Sequence, residues 1–528
     1  MKRSLSFVCI ALALVASSAG SLQPELDRAT IASMPTDAGL IVVVNKAAAQ
    51  RKEPAGRASI RLLEDANLLS PPVREAWSQL AEKLRWDEMK AFDELLGHRF
   101  AIIGRFEPRV GARWTLLTLI NDDTRDRLLK SVSVTPRRLV GGRVVSVGEG
   151  GGFQLAIGAT KGGWSRLLLA APESTALFDL SLPILAGEEA TDNLGDDPAF
   201  ARVDIDVGAD AILILRGNEG STITTFTAKA EGNAYTGKIG VSTDADRAAI
   251  GAWSQATFDR LDDDAIGVIL GAIEPGAIKG ISLPLADVAL AAFADLYGER
   301  FGGRIACLIE AESGALRTGD RHTLGVCIAA ETNDVFRASH DADETMIDII
   351  RHFEQQVDPD AGEREIPNYR GEMLESIRVE PLEGELARLL SGAFGPRPTV
   401  TWVGCPWGAP PGDHAPPPFL QARMGWWGLG IGAGGVDGRA APWQIARICD
   451  VLGSEPPQDR QLHSAIGVVR PRRLVEWLTA RAGAKPIGQI ATLSWLDEIE
   501  WELTPGAPGL LTGAFRVGLH DAPTPPGR

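Results

Sequence analysis

The sequence predicts an α+β fold with two pseudo-repeated modules, mostly antiparallel sheets covered on one face by helices. Three observations carry that prediction. An Asp-Ala opening followed at once by branched apolar residues occurs at Asp37-Ala38, Asp210-Ala211 and Asp264-Ala265, and a Ser464-Ala465 variant completes two pairs of buried strands. Two stretches recur in the same order: 113–126 lines up without gaps against 321–334, and 235–239 against 511–515. Hairpin signals and helical patterns are interspersed without the regular alternation that an all-parallel sheet needs.

Taken in order, 37–245 is the first module and opens on a buried strand at 39–44. Helical patterns follow at 60–65, 72–84 and 86–96. In the second of these Val73, Trp77, Leu80 and Leu84 recur at helical spacing behind Pro71-Pro72, a pair suited to a helix start. Strands at 99–106 and 113–120 read as a hairpin. Asn121 and Asp122 then offer caps for a short helix at 125–130. Strands at 143–147, 153–157 and 164–170, separated by Gly-rich turns, lead to a helix at 175–182. After the strand at Ile212, long strands at 223–230 and 236–243 are joined by the hairpin signal Glu231-Gly232-Asn233. A linker helix at 246–262 precedes the second module, 263–522. That module carries a Trp- and Pro-rich insertion near 402–443, and 523–528 form a disordered polar tail.

Residues 1–19 read as a secretory signal peptide, with Lys2 and Arg3 ahead of an apolar run at 5–15 and the small residues Ser17, Ser18 and Ala19. A polar lead at 20–36 follows. The expected location is therefore the periplasm or the cell exterior. No later run is long and apolar enough for an integral membrane helix once the signal is cleaved. A formal net charge of -16 argues against nucleic acid as a partner, because a phosphate backbone is bound by basic surfaces. Apolar residues make up 45% of the chain, enough for sizeable cores.

The export signal, the openers at Asp37, Asp210 and Asp264, the Leu-Gly-Asp-Asp-Pro-Ala-Phe turn at 194–200 and the closing two-strand unit resemble bacterial secreted proteins of unknown function. In those families a module of this kind is often duplicated. The resemblance covers most of the mature chain and implies no activity, cofactor or active-site residue. The Asp-Asp-Pro turn has no clear copy before Ala465.

Each feature that could carry chemistry has a plainer structural reading. The run from Gly428 to Gly435 contains a formal G-x-G-x-x-G at Gly430, Gly432 and Gly435, but Gly alternates there with apolar residues at the period of a strand, without the strand-to-helix turn a dinucleotide site needs. The acidic cluster from His340 to Glu344 precedes a helical pattern at Met346 and Ile350, where acids favour the helix dipole. Glu498, Glu500 and Glu502 share one strand face, the usual place for a solvated outer surface. No catalytic, metal or cofactor-binding residue is assigned on these grounds. Cys307 and Cys327 flank what reads as a hairpin, so they could bridge its strands, with Cys405 and Cys449 as a second pair; buried thiols are the equal alternative. Five of the thirteen tryptophans fall in the insertion, where Trp402, Trp407, Phe419, Trp426, Trp427 and Trp443 surround Pro-rich turns. Aromatic rings on such a loop could hold another envelope protein, a glycan or an apolar ligand. We prefer the plainer reading, core filling, for most of them, since adjacent Trp426 and Trp427 must point to opposite faces of a strand. The functional expectation is an exported, non-enzymatic binding or structural module, with a lipid carrier or a hydrolase of dispersed site residues as alternatives.

Overall fold

The computed structural model describes residues 26–50, 53–57, 71–107, 111–139, 141–159, 163–187, 192–217, 222–242, 253–262, 265–273, 301–311, 324–332, 346, 350–351, 354–355, 377–394, 398–406, 425–433, 463–482 and 493–520. The expected signal peptide at 1–19, the expected helix at 60–65 and the Pro-rich run 407–418 of the insertion lie outside them. In chain order the elements begin with α1 (Arg28–Ala32), β1 (Leu40–Asn45), α2 (Ala47–Gln50), α3 (Pro71–Leu84), α4 (Glu88–Leu95), β2 (Arg99–Glu107) and β3 (Gly111–Asn121). Next come α5 (Asp122–Ser131), β4 (Val134–Arg138), β5 (Val144–Gly150), β6 (Phe153–Ala159), β7 (Trp164–Ala170), α6 (Thr175–Leu185) and α7 (Pro198–Arg202). Then follow β8 (Ala211–Arg216), β9 (Ile223–Glu231), β10 (Ala234–Ser242), α8 (Gln255–Asp262), β11 (Gly267–Ile273), β12 (Phe301–Ala311) and β13 (Leu324–Thr332). The last are β14 (Ile377–Pro381), α9 (Gly384–Phe394), β15 (Pro398–Pro406), β16 (Gly425–Ala433), β17 (Ala465–Val469), α10 (Pro471–Ala482), β18 (Leu496–Pro505) and β19 (Leu510–Leu519).

The expected fold class is corrected here. Two α+β modules, each with a sheet covered on one face by helices, are not what forms: the described strands are paired antiparallel and dominate the architecture in both compact units. The helical cover is also different. In the compact unit made of residues 1–249, 495–497 and 506–528, the sheet is buried on both faces. Ile41 and Val43 of β1 and Ile212 and Ile214 of β8 face one core, which α1, α6 and α7 close with Ile31, Phe178, Leu182 and Phe200. Leu40, Val42, Val44 and Leu213 face the other, closed by Leu80 and Leu84 of α3, Leu95 of α4 and Leu128 of α5. Successive side chains of a strand point to opposite faces, so an unbroken branched apolar run is what two-sided burial requires. The strand openers carried that information, and a one-sided sheet would have needed alternation instead.

Hydrogen-bonded neighbours in this unit run β4-β5-β6-β7-β3-β2-β1-β8-β9-β10-β19. The other unit, residues 250–494 and 498–505, runs β14-β15-β16-β13-β12-β11-β17-β18. The order from β5 to β9 thus recurs in the second unit with β14 in the place of β5. Single bonds correspond as well. Asn45 N–H donates to Asp210 O and Asp210 N–H to Ala228 O, as Ala272 N–H donates to Ser464 O and Ser464 N–H to Leu503 O. In the second unit Val268, Leu270, Ile466 and Val468 pack with Phe258 and Leu261 of α8. On the reverse face Leu390 of α9 and Leu474 and Trp477 of α10 pack near Ile266 and Leu324.

Local chemistry sets the element ends. Asn121 Oδ1 accepts from Thr124 N–H at 2.8 Å, and Asp87 caps α4 through Lys90 N–H at 2.7 Å. Helix α6 continues through Pro183 to Leu185, beyond the expected end at 182, because Ile184 and Leu185 are fully buried. Among the described residues no helix is long and apolar enough to cross a membrane.

Candidate functional site

Of the aromatic residues singled out in the insertion, two have described side chains, and both fill cores. Trp426 and Trp427 are each 1% exposed and face opposite sides of β16. Trp427 packs with Met346, Ile350, Leu382 and Val400. Trp426 lies 6.2 Å from Trp253, and the Arg304 guanidinium sits over both rings, 5.1 Å from Trp426 and 5.6 Å from Trp253. Arg304 is aimed there by an irregularity of register between Phe301 and Ile305 of β12, and Glu331 holds it through Nε at 3.3 Å. Trp253 Nε1–H donates to Gly271 O at 2.7 Å. This Trp–Arg–Trp stack is a largely buried framework, and sequence reading missed Trp253, Arg304 and Glu331 as its members. Gly302-Gly303 before Arg304 was the available signal. Trp402 lies in β15 opposite Leu429, and Trp407, Phe419 and Trp443 lie outside the described residues.

The register of the β12–β13 hairpin also decides the first cysteine pair. Cys327 is opposite Leu308 and Cys307 opposite Ile328, so the two sulfurs point to opposite faces. Of the two alternatives left open by the sequence, this one-residue offset fits separate thiols and not a bridge across the hairpin. Cys405 lies in β15 opposite Trp426, and Cys449 falls outside the described residues. Burial pushes the Cys307 thiol up to about 11. Since the thiolate is the nucleophile, alkylation of Cys307 at neutral pH is expected to be roughly 100-fold slower than for an exposed cysteine. Peptide-resolved mass spectrometry after iodoacetamide treatment of native and unfolded chain measures this. Equal labelling in the two states would refute it.

Of the formal dinucleotide motif, Gly430 and Gly432 lie in β16 and pair with β15, Gly430 also with β13, and Gly435 falls outside the described residues. Of the three alternating acids, Glu498 accepts from Arg470 Nε at 2.8 Å, and Glu502 Oε2 lies 3.7 Å from His463 Nδ1. Among the described residues no group of three or more His, Cys, Asp or Glu could hold a metal ion.

Polar groups of both signs converge at a different place. A hollow of about 430 Å³ is lined by Glu231, Asn233, Ala234, Asp497, Arg516, Gly518, Leu519 and His520. The hairpin turn between β9 and β10 forms one wall, with Gly232 supplying the positive φ of 63° that the turn requires. Antiparallel pairing of β10 with β19 sets Gly518 opposite Ala234, and Leu519 N–H donates to Asn233 O at 2.8 Å. His520 N–H donates to Trp495 O at 2.8 Å, which draws the Trp495–Asp497 segment to the rim. Two carboxylates, a guanidinium and an imidazole are thus held around open space on hydrogen-bonded backbone. Sequence reading recognised Glu231 to Asn233 only as a turn. Nothing in the sequence places it beside Asp497 or Arg516, because the pairing of β10 with β19 is a long-range one.

Asp210, singled out as a strand opener, is 6% exposed, and its Oδ2 accepts from Ala230 N–H at 3.1 Å. Burial raises its carboxyl above the ordinary range, against the Ala230 bond and the charges of Lys46 and Lys229. A raised pKa means the folded state holds this proton more tightly than the unfolded chain does. Its contribution to stability is therefore full below the ordinary Asp range and is lost as pH rises through the folded value. Asp210→Asn keeps an acceptor for Ala230 and removes the charge. It is expected to raise stability by about 1 kcal/mol at neutral pH, with the gain shrinking on acidification toward about pH 4. Thermal melts of both forms across that range test this, and a gain that grows in acid would contradict it.

No family model matches the chain, and no curated protein matches it. A solved structure titled "Structure of crystal form I of TP0453" is similar over 43% of this chain and 80% of that one, at 12% identity and a TM-score of 0.24. A likeness of that size carries no argument about function.

Proposed function

We propose that this chain is an exported, non-catalytic binding protein of the cell envelope that recognises a polar partner through the hollow between the β9–β10 turn and the end of β19. The observation that carries this reading is the convergence of Glu231 and Asp497 with Arg516 and His520 around about 430 Å³ of open space. Charges of both signs on a pre-formed backbone suit a ligand or protein loop that itself carries both. The tryptophans with described side chains in β16 support the same choice, because they are committed to cores and leave recognition to polar groups. Export is supported by the basic and apolar composition of residues 1–19. The lining of the hollow disfavours a lipid or other apolar ligand at this position.

The test is recovery of envelope components on immobilised mature chain, wild type against Arg516→Ala and Asp497→Ala, with native mass spectrometry of the unloaded chain as a companion. A component retained by wild type and lost from both variants supports the reading. Equal recovery by all three, or a co-purifying lipid in the native spectrum, overturns it.

A further inference from the structure

Strand β4 pairs with β5 alone among the described residues: the other side of β5 is taken by β6, and both sides of β3 by β2 and β7, so β4 ends this ladder. Its backbone orientation follows from one bond. Leu139 N–H donates to Arg143 O at 2.8 Å, in the same register that sets Arg138 opposite Val144. Antiparallel pairs alternate between those that exchange bonds and those that do not. Arg137 with Val145 and Thr135 with Val147 therefore bond inward. Val134, Pro136 and Arg138 turn their backbone groups outward. From Thr135 to Arg138 the side chains are exposed, as is Val144 beside them. Pro136 thus sits at the centre of the outward row and has no N–H to offer.

We propose that the β4 edge is a self-pairing surface held shut by Pro136, and that the strand it would otherwise accept is β4 of a second copy. The row is self-complementary about its centre. With Pro136 opposite Pro136 of the second copy, Val134 meets Arg138 in both directions, a two-fold arrangement that closes on a dimer. Any register that overlaps all three outward positions includes the proline, which removes both central bonds and sets its ring against the incoming strand. Arg137 and Arg138 add like-charge repulsion, but Arg137 is already tied to Asp179 at 2.8 Å. The missing donor is therefore the principal barrier.

Sedimentation velocity on the mature chain tests this with Pro136→Val, Pro136→Ala and the control Thr135→Val, which raises strand propensity without opening an outward donor. Wild type and Thr135→Val are expected to share one mass. The two Pro136 variants should move toward twice that mass over a roughly 100-fold rise in concentration, with the amides of residues 134 and 138 gaining exchange protection. Pro136→Ala alone would suffice if Pro136→Val perturbs the circular dichroism spectrum. Folded Pro136 variants that sediment as wild type at every concentration would overturn the proposal. So would association of Thr135→Val to the same extent.

Discussion

Truncating Trp426 to alanine is expected to cost about 4 kcal/mol of stability, the size typical of a fully buried aromatic ring. The ring is 1% exposed, packs with Val268, Leu308, Cys327 and Ile466, and forms one side of the stack around Arg304. Removal leaves a cavity and uncovers the face of Arg304 that Trp426 covers, while Trp253 and Glu331 keep their contacts with it. Trp426→Phe should cost far less, about 1 kcal/mol, because Trp426 Nε1 has no hydrogen-bond partner among the described residues. Urea unfolding monitored by far-UV circular dichroism separates the two. A Trp426→Ala protein within about 0.5 kcal/mol of wild type would mean that the ring is not core. Loss of partner recovery in such a stable variant would restore the aromatic binding surface. Trp427→Ala should behave like Trp426→Ala through the opposite core, where Met346, Ile350 and Leu382 surround it.

Local signals were legible in this sequence and long-range ones were not. The branched runs at 40–44 and 211–215 identify β1 and β8 because few other structures need so many adjacent apolar side chains. The helix start at Pro71-Pro72 and the cap at Asn121 were legible for equally local reasons. Strand β4 was not, because Pro136 in a five-residue segment argues against a strand unless that segment is an edge, and edge status is a property of the whole sheet. The cysteine pair shows the same limit at finer scale. A symmetric position about a hairpin turn does not fix register, and a slip of one residue sends Cys307 and Cys327 to opposite faces. The hollow was the least legible feature. Its groups come from 231–234 and from 497–520, and only the pairing of β10 with β19 makes them neighbours.

Arg470→Met is expected to cost about 3 kcal/mol, toward the lower end for a broken buried ion pair because its partners keep some water. The residue joins β17 to α10, with its N–H donating to Ile266 O at 2.8 Å and its carbonyl accepting from Leu474 N–H at 3.2 Å. Its side chain is 13% exposed and reaches α8, β18 and the turn ahead of β11 at once. NH1 and NH2 donate to the two Asp262 carboxylate oxygens at 2.6 and 3.0 Å, Nε donates to Glu498 at 2.8 Å, and NH1 also donates to Ala265 O at 2.9 Å. The hydrogen bond to Asp262 leads the causes that hold this group above the usual arginine range, so the pair favours the charged form despite burial. Methionine fills most of the volume but removes the cation that Asp262 and Glu498, each about a quarter exposed, share. Arg470→Lys keeps the charge and loses the planar fork, so about half of the cost should remain. The decisive measurement is a double-mutant cycle of Arg470→Met with Asp262→Asn in urea. A coupling of about 1 to 2 kcal/mol is expected, because removing the acid also removes the penalty of leaving it unpaired. Additive losses would show that Arg470 stabilises this unit through its backbone position and packing, with the ion pair contributing nothing measurable.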